Sequence, residues 1–273
     1  MITASIVLYH TDPEDVKKVI ESYSPSFERL LFLIDNGEQS TDIYNNIEYV
    51  TYIYHGKNDG YGAGHNIGIK KAFELRSKYH IVLNPDLVFD SSVIDTLTSY
   101  ADSHGDVVYI LPKVLYPNGA LQYLCKLLPT PMDLIVRRFL PSFLVKRSND
   151  RYCLKESGYN RIINPPCLSG CFMFMRTSVL KEYNLLFDES FFMYCEDFDL
   201  MRRLHRYGKT IFYPYVQITH NHSQESYKTK KMLIVHITSA FRYFNKWGWF
   251  KDDERKQMNQ KILKEIKQGA VTK

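Results

Sequence analysis

Apolar residues in this chain fall into short, nearly continuous runs, separated by polar turns and by stretches in which they recur at helical spacing. The first run, 2-ITASIVLY-9, is β-branched and apolar almost throughout, which predicts a buried strand. Asp12 then reads as a helix cap with Pro13 at the first helical position, and Val16, Val19, Ile20 and Tyr23 supply an apolar face behind it. Further strands are predicted at 30-LLFLI-34, 49-YVTYIY-54, 80-HIVL-83 and 107-VVYIL-111. A glycine-rich turn, 60-GYGAGHNIG-68, is expected to lead into a helix that runs through Lys78. Strands alternating with helices predict βαβ units, hence an α/β class with a mostly parallel central sheet flanked by helices.

The second half is less regular. The segment 124-LCKLLPTPMDLIVRRFLPSFLVKR-147 mixes apolar and basic residues between prolines, while 171-CFMFM-175 and 211-IFYPYVQITH-220 read as strands. Beyond Ser226 the sequence turns long, basic and amphipathic. The expected division is a main α/β domain over 1–225 and a C-terminal helical extension over 226–273.

Composition narrows the class. The chain has 273 residues, 45% of them hydrophobic and 24% charged, enough to bury a core without disulfides or structural metals. Its 35 basic and 30 acidic residues give +5, no reason to expect a nucleic-acid partner. The five cysteines (Cys125, Cys153, Cys167, Cys171 and Cys195) are odd in number and contain no C-x-x-C pair, which argues against a zinc site and fits a reducing cytoplasm. The N-terminus lacks the basic region and cleavage site of a signal peptide, and no apolar run is long enough to span a bilayer. A cytoplasmic protein is expected, with the inner face of the cytoplasmic membrane left open.

Acidic residues then mark a candidate site. Asp35 and Asp86 each lie just beyond a predicted strand, and in an open parallel sheet ligands bind outside the carboxyl ends of strands. Turn chemistry accounts for Asp35-Asn36-Gly37 and Asn84-Pro85-Asp86 equally well. The spacing of Gly60, Gly62, Gly64 and Gly68 is not that of a dinucleotide fingerprint; close approach of a ligand and a simple tight turn both suit it. In 187-FDESFFMYCEDFDL-200, Glu196, Asp197 and Asp199 are placed in or just before the first turn of a helix, where acids favour the helix dipole. Adjacent carboxyls shielded by aromatics also raise one pKa, which suits a general base.

In order and spacing, 5-SIVLY-9, 34-IDNGEQS-40, 58-NDGYGAGHNIGI-69, 82-VLNPD-86, 169-SGCFMFMR-176, 187-FDESFFMYCEDFDLMRRLHRYG-208 and His220 resemble a family 2 glycosyltransferase of the GT-A fold. The likeness is greatest to bacterial rhamnosyltransferase-like enzymes of O-antigen, capsule and other surface polysaccharides. It implies inverting transfer of a sugar from a dTDP- or UDP-linked donor to a glycan or polyprenyl-linked glycan. Asp35 and Tyr9 would hold the pyrimidine base, with Asn36 beside them, and Asn58, Gly62 and Asn66 would follow the nucleotide and its phosphates. Asn84 and Asp86 occupy the ends of a D-x-D motif, Asp197 matches the base and Glu196 its neighbour. A divalent cation, Mg²⁺ or Mn²⁺, is implied at Asp86, with His220 as a further ligand and His222 as its competitor. Asn84 departs from the motif by removing one negative charge.

Three other expectations stand beside this one. The basic, apolar middle segment, together with Lys228, Lys230, Lys231, Arg242, Lys246 and Lys251 around Trp247 and Trp249, suits a peripheral membrane contact, a homodimer interface or an ordinary solvated face. A catalytically silent GT-A-like binding or assembly protein has the Asn84 substitution in its favour, and the retained Asp86, Glu196 and Asp197 against it. A sugar-phosphate nucleotidyltransferase lacks the basic phosphate loop it would need.

Overall fold

The computed structural model of the protein describes residues 1–38, 40–221 and 230–271. The chain runs β1 (Ile2–Leu8), α1 (Pro13–Tyr23), β2 (Arg29–Asp35), β3 (Val50–Tyr54), α2 (Tyr61–Glu74), β4 (Tyr79–Leu83), β5 (Leu87–Val88), α3 (Ser92–Ser103) and β6 (Val107–Leu115). It continues through β7 (Cys125–Lys126), α4 (Pro131–Leu134), α5 (Ser142–Tyr152), β8 (Cys167–Leu168), β9 (Phe172–Arg176), α6 (Thr177–Glu182), α7 (Glu196–Leu204) and β10 (Lys209–His220). Two helices close it, α8 (Lys230–Trp247) and α9 (Asp253–Val271). His222, Lys228 and the expected division at 225/226 lie outside the described residues.

Eight strands form one sheet in the order β3-β2-β1-β4-β9-β6-β10-β5. Strands β3, β2, β1 and β4 are mutually parallel, as are β6 and β10, whereas β9 and the edge strand β5 run antiparallel to their neighbours. The mostly parallel α/β sheet anticipated from the alternation of strands and helices is therefore present. Strand β1 is buried along most of its length because helices cover both faces of such a sheet, so a continuous apolar run suits it. Helix α1 presents Val16, Val19, Ile20 and Tyr23 to the core, and Asp12 caps it by accepting the Glu14 N–H at 3.0 Å.

The glycine-rich segment differs from expectation. Residue 61 already begins α2, which stops at Glu74, short of Lys78. Gly64 and Gly68 thus lie on the helix face that meets β1. A Cβ would come within 2.6 Å of the Val7 side chain at Gly64 and within 2.5 Å of Ser5 at Gly68. These glycines let a helix press onto a strand. Gly60 has a separate task, with φ of +101° and the Phe192 carbonyl oxygen 2.1 Å from where a Cβ would stand.

Hydrogen bonds link the buried polar side chains of β1, α2 and β4, with His65 Nε2 left without a partner. Ser5 Oγ bonds His65 Nδ1 at 2.8 Å and His80 Nε2 at 3.0 Å, and Thr3 Oγ1 meets His80 Nδ1 at 2.9 Å. Burial pushes the His80 imidazole down to about 3, so the ring is neutral at ordinary pH.

The C-terminal helices pack against the rest of the chain. Ala240, Tyr243 and Phe244 of α8 form a second apolar cluster with Leu128, Leu134, Cys167, Phe191, Cys195 and Phe198, and Ile262 and Ile266 of α9 join the main core. All five cysteines are buried and unpaired. Among the described residues no helix is long and apolar enough to cross a membrane.

Candidate active site

Sheet topology gathers the acidic segments. Because β9 runs antiparallel to β4, with Phe172 opposite Leu83, the loop before β9 lies at the same sheet edge as the carboxyl ends of β1, β2 and β4. The end of β10 arrives there too, since His220 pairs with Leu87. Asp35 terminates β2 and is nearly buried, accepting the Gly37 N–H at 2.7 Å and the Tyr52 hydroxyl at 2.6 Å. Tyr9, just past β1, is exposed beside it. Asn36 is buried and donates to the Gly60 carbonyl at 3.2 Å, leaving its own Oδ1 without a partner. Asn58 Oδ1 accepts the Gly60 N–H at 3.1 Å and so shapes the entry to α2.

Two of the expected nucleotide residues turn inward. Gly62 faces Phe187, whose Cβ lies 2.8 Å from where a glycine Cβ would be. Asn66 is buried and committed to the loop ahead of the acid motif. It donates to the Phe187 carbonyl at 3.0 Å and to Glu189 at 2.9 Å, and accepts the Phe187 N–H at 2.9 Å. In this conformation Gly62 and Asn66 join α2 to 187–189 rather than line an open cleft.

Asn84, Asp86 and His220 come together. Asn84 Oδ1 accepts the Tyr61 hydroxyl at 3.0 Å, and its Nδ2 lies 3.3 Å from His220 Nε2. Asp86 Oδ1 is buried without a hydrogen bond, 3.3 Å from the same Nε2. Gln122 Oε1, 3.1 Å from His220 Nδ1, is an acceptor, so Nδ1 carries a proton and Nε2 faces the carboxylate. Burial pulls the imidazole down, but Cys171 and Asp86 outweigh it and hold the ring at about 10. A divalent cation would have to displace the Nε2 proton of this imidazolium; the imidazole so freed, the Asp86 carboxylate and the Asn84 carboxamide would then fit a hard cation that takes its remaining ligands from a diphosphate. Among the described residues there is no cluster of three or more His, Cys, Asp or Glu to cage a metal without that help.

Asp197 enters on the other side. Tyr194 and Cys195 both have left-handed backbone, φ 68° and 67°, and this sharp turn starts α7 so that Glu196, Asp197 and Asp199 occupy its first turn. Asp197 Oδ1 accepts the Phe198 N–H at 2.8 Å and Oδ2 the Gly170 N–H at 3.3 Å. The two sides meet at Tyr61, whose hydroxyl lies 3.0 Å from Asn84 Oδ1 and 2.8 Å from the Gly170 carbonyl.

Comparison with known proteins identifies the family. The model of glycosyl transferase family 2 matches residues 13–183, more than half of the chain. The chain belongs to that family. It is a nucleotide-sugar-dependent glycosyltransferase. It is 28% identical over 251 residues to the rhamnosyltransferase WbbL of Escherichia coli K12, covering 87% of this chain and 90% of that protein. It is also 28% identical over 206 residues to the low-salt glycan biosynthesis hexosyltransferase Agl10 of Haloferax volcanii, covering 74% of this chain and 61% of that one. Among solved structures, S. aureus TarS 1–349 in complex with UDP-GlcNAc superposes with a TM-score of 0.57 at 14% identity, over 96% of this chain and 71% of TarS 1–349. That likeness establishes the shared GT-A fold.

The carboxyl pair of the glycosyltransferase is electrostatically unusual. Burial, reinforced by Asp197, pushes Glu196 well above the usual carboxylate range, and its Oε2 has no partner. Burial raises Asp197 as well, with Lys126 and the N–H groups of Phe198 and Gly170 pulling the other way. An acid raised in the folded state makes folding less favourable as pH climbs past its unfolded value, about 4.3 for Glu. Glu196→Gln is therefore expected to raise the urea midpoint at neutral pH, with the gain fading as pH falls toward that value; a gain that persists in acid would contradict the assignment.

Asp199 and Phe191 take parts that sequence did not assign. Asp199 is fully buried and accepts Arg203 Nε at 2.9 Å, Trp247 Nε1 at 2.8 Å and Lys246 Nζ at 2.7 Å, so it ties α7 to α8 rather than serving the helix dipole alone. Phe191 sits in the second core cluster, while Tyr194 faces His236 at 5.4 Å. Tyr61, Gly170 and Lys126 were not singled out as site residues from sequence. A tyrosine inside the glycine-rich run and a glycine directly before a strand were the available signals for the first two.

Proposed function

We propose that the enzyme transfers its sugar by a single displacement with inversion, Asp197 taking the proton from the acceptor hydroxyl as that oxygen attacks the anomeric carbon. The observation that carries this reading is the position of Asp197. It is an acid with raised proton affinity at a helix N-terminus, held by two backbone N–H groups and joined through Tyr61 to the donor side at Asn84. General-base assistance of this kind contributes about 10²–10⁴-fold. Asp35 and Tyr9 are assigned to the base of the donor, with Asn36 and Asn58 shaping the loop against it. Glu196 sets the electrostatics around Asp197.

Asp86 and His220, with Asn84 alongside, are the residues to hold Mg²⁺ or Mn²⁺. Bound there, the cation supplies charge neutralisation for the leaving diphosphate. Asp86→Ala is expected to abolish the Mn²⁺-dependent gain in nucleoside-diphosphate affinity seen by calorimetry; an unchanged gain would remove Asp86 from the metal site.

dTDP-rhamnose is the first donor to test and UDP-sugars the next, the likeness to a rhamnosyltransferase supporting that order. The acceptor is assigned as a glycan or a polyprenyl-linked glycan of a surface polysaccharide. A diphosphate-release assay over these donors tests the reading, and failure of every donor to turn over with any glycan acceptor would count against it.

A lipid-carried acceptor calls for contact with the inner face of the cytoplasmic membrane, and α5 offers the surface for it. Phe143 and Leu144 are 76% and 62% exposed beside a groove of about 890 Å³ that is also lined by Lys146, Arg147, Arg151 and Lys267. These four cations have no carboxylate partner among the described residues. The tail tryptophans, by contrast, turn inward: Trp247 lies over Arg202 at 4.2 Å and Trp249 packs on Phe244 at 5.2 Å. Flotation with anionic vesicles is expected, and Phe143→Ser with Arg147→Glu is expected to abolish it; flotation unaffected by this change would place the contact elsewhere. A homodimer through the same face is the competing outcome, read by light scattering without vesicles.

A further inference from the structure

Lys126 stands on β7 opposite Cys167, next to the loop that carries Gly170. It is half-buried, makes no ion pair with any carboxylate among the described residues, and places Nζ 5.4 Å from the ring centroid of Phe198. Phe198 directly follows Asp197, and its N–H is bonded to Asp197 Oδ1. A partly desolvated ammonium without a carboxylate partner is costly unless a nearby negative charge or π face compensates it.

We propose that Lys126 is a positioning residue whose charge keeps Asp197 ionised and therefore able to accept the acceptor's proton. The inference rests on the reading of Asp197 as the base. The groups that act on Asp197 or respond to it are Glu196 on its own helix, Cys195 just before it, Tyr61 of α2, Tyr109 of β6, Cys167 of β8 and Lys126 of β7. Burial raises both tyrosines and both cysteines, so these four remain neutral and protonated, and Glu196, pushed up by burial and by the Asp197 charge, keeps its proton. Of this set only Lys126 brings a positive charge. Its pull is the largest of those that favour the Asp197 carboxylate.

The test compares wild type, Lys126→Met and Lys126→Arg in two measurements. One is the pH profile of kcat/KM. The other is the titration of the Asp197 carboxyl by ¹³C NMR of aspartate-labelled enzyme, with the signal assigned by its absence in Asp197→Asn. In Lys126→Met both the acidic limb and the carboxyl titration should move up by about one unit or more, the size of effect that loss of a nearby opposite charge has on a carboxyl. Activity lost at neutral pH should return at higher pH, and Lys126→Arg should hold both transitions near their original positions. A carboxyl titration that stays put in a folded Lys126→Met enzyme overturns the proposal, and so does a rise in acceptor KM with neither transition moved, which would make Lys126 an acceptor ligand. A titration that moves while the rate profile does not supports the charge pairing and removes Asp197 as the base.

Discussion

Asp197→Asn is expected to lower kcat by about 10²–10⁴-fold, the contribution of a positioned general base. Nucleotide affinity should stay close to wild type. The change keeps the shape of the side chain and an oxygen to accept the Phe198 N–H, so α7 should start as before. It removes the charge that accepts the acceptor's proton. The donor-side contacts of Asp35, Asn84 and Asp86 lie on other loops, linked to Asp197 through the Tyr61 hydroxyl and the Gly170 backbone. Steady-state turnover together with calorimetry of the nucleoside diphosphate separates the two effects. Near-normal turnover would remove the base assignment; a collapse of nucleotide affinity would mean that the variant disturbs the whole site.

The second large effect is on stability. Arg202 of α7 is buried and grips Asp252, just ahead of α9, through Nη1 at 2.7 Å and Nη2 at 2.5 Å, with both side chains 2% exposed. Its Nε also meets Glu254 at 2.8 Å, and its guanidinium lies over Trp247. Removing one partner of a buried pair leaves the other charge without compensation, at a cost of about 3–5 kcal/mol. Arg202→Ala should lower the unfolding free energy by that amount in urea titrations. A volume-conserving apolar double replacement, Arg202→Met with Asp252→Leu, should restore part of the loss, since Asp252 is no longer left charged and unpaired, although buried Arg255 then loses its own contact with Asp252. A small effect in the single variant would mean that water reaches the pair.

Sequence made the sheet and the motif order legible because both are local. Continuous apolar runs mark the strands that helices bury on both faces, and acids at strand ends mark the edge where ligands bind. What sequence did not reveal depends on contacts between distant segments. The family resemblance assigns Asn66 to the nucleotide, yet its partners lie at 187–189. The glycines looked like a turn, because nothing in their spacing discloses that Val7 and Ser5 press against them from β1. The left-handed backbone at Tyr194 and Cys195 falls on residues that seldom adopt it, so no glycine announced the turn that delivers Asp197. Asp199 satisfied the expectation of an acid in a first helical turn while its main partners, Trp247 and Lys246, waited on α8.

Those late partners bear on how the enzyme is made. Synthesis runs from the amino end, so Glu196, Asp199 and Arg202 leave the ribosome before Trp247, Asp252 and Glu254 exist. Until α8 and α9 follow, Asp199 lacks two of its three cationic or donor partners and Arg202 has neither carboxylate. The sheet can fold as its strands emerge and Leu200, Met201 and Leu204 can seat α7 on it, but the polar ties of that helix to α8 and to the segment before α9 form only once those later residues are made. A nascent chain stalled before α8 would therefore carry a formed donor side and a catalytic helix without those polar ties.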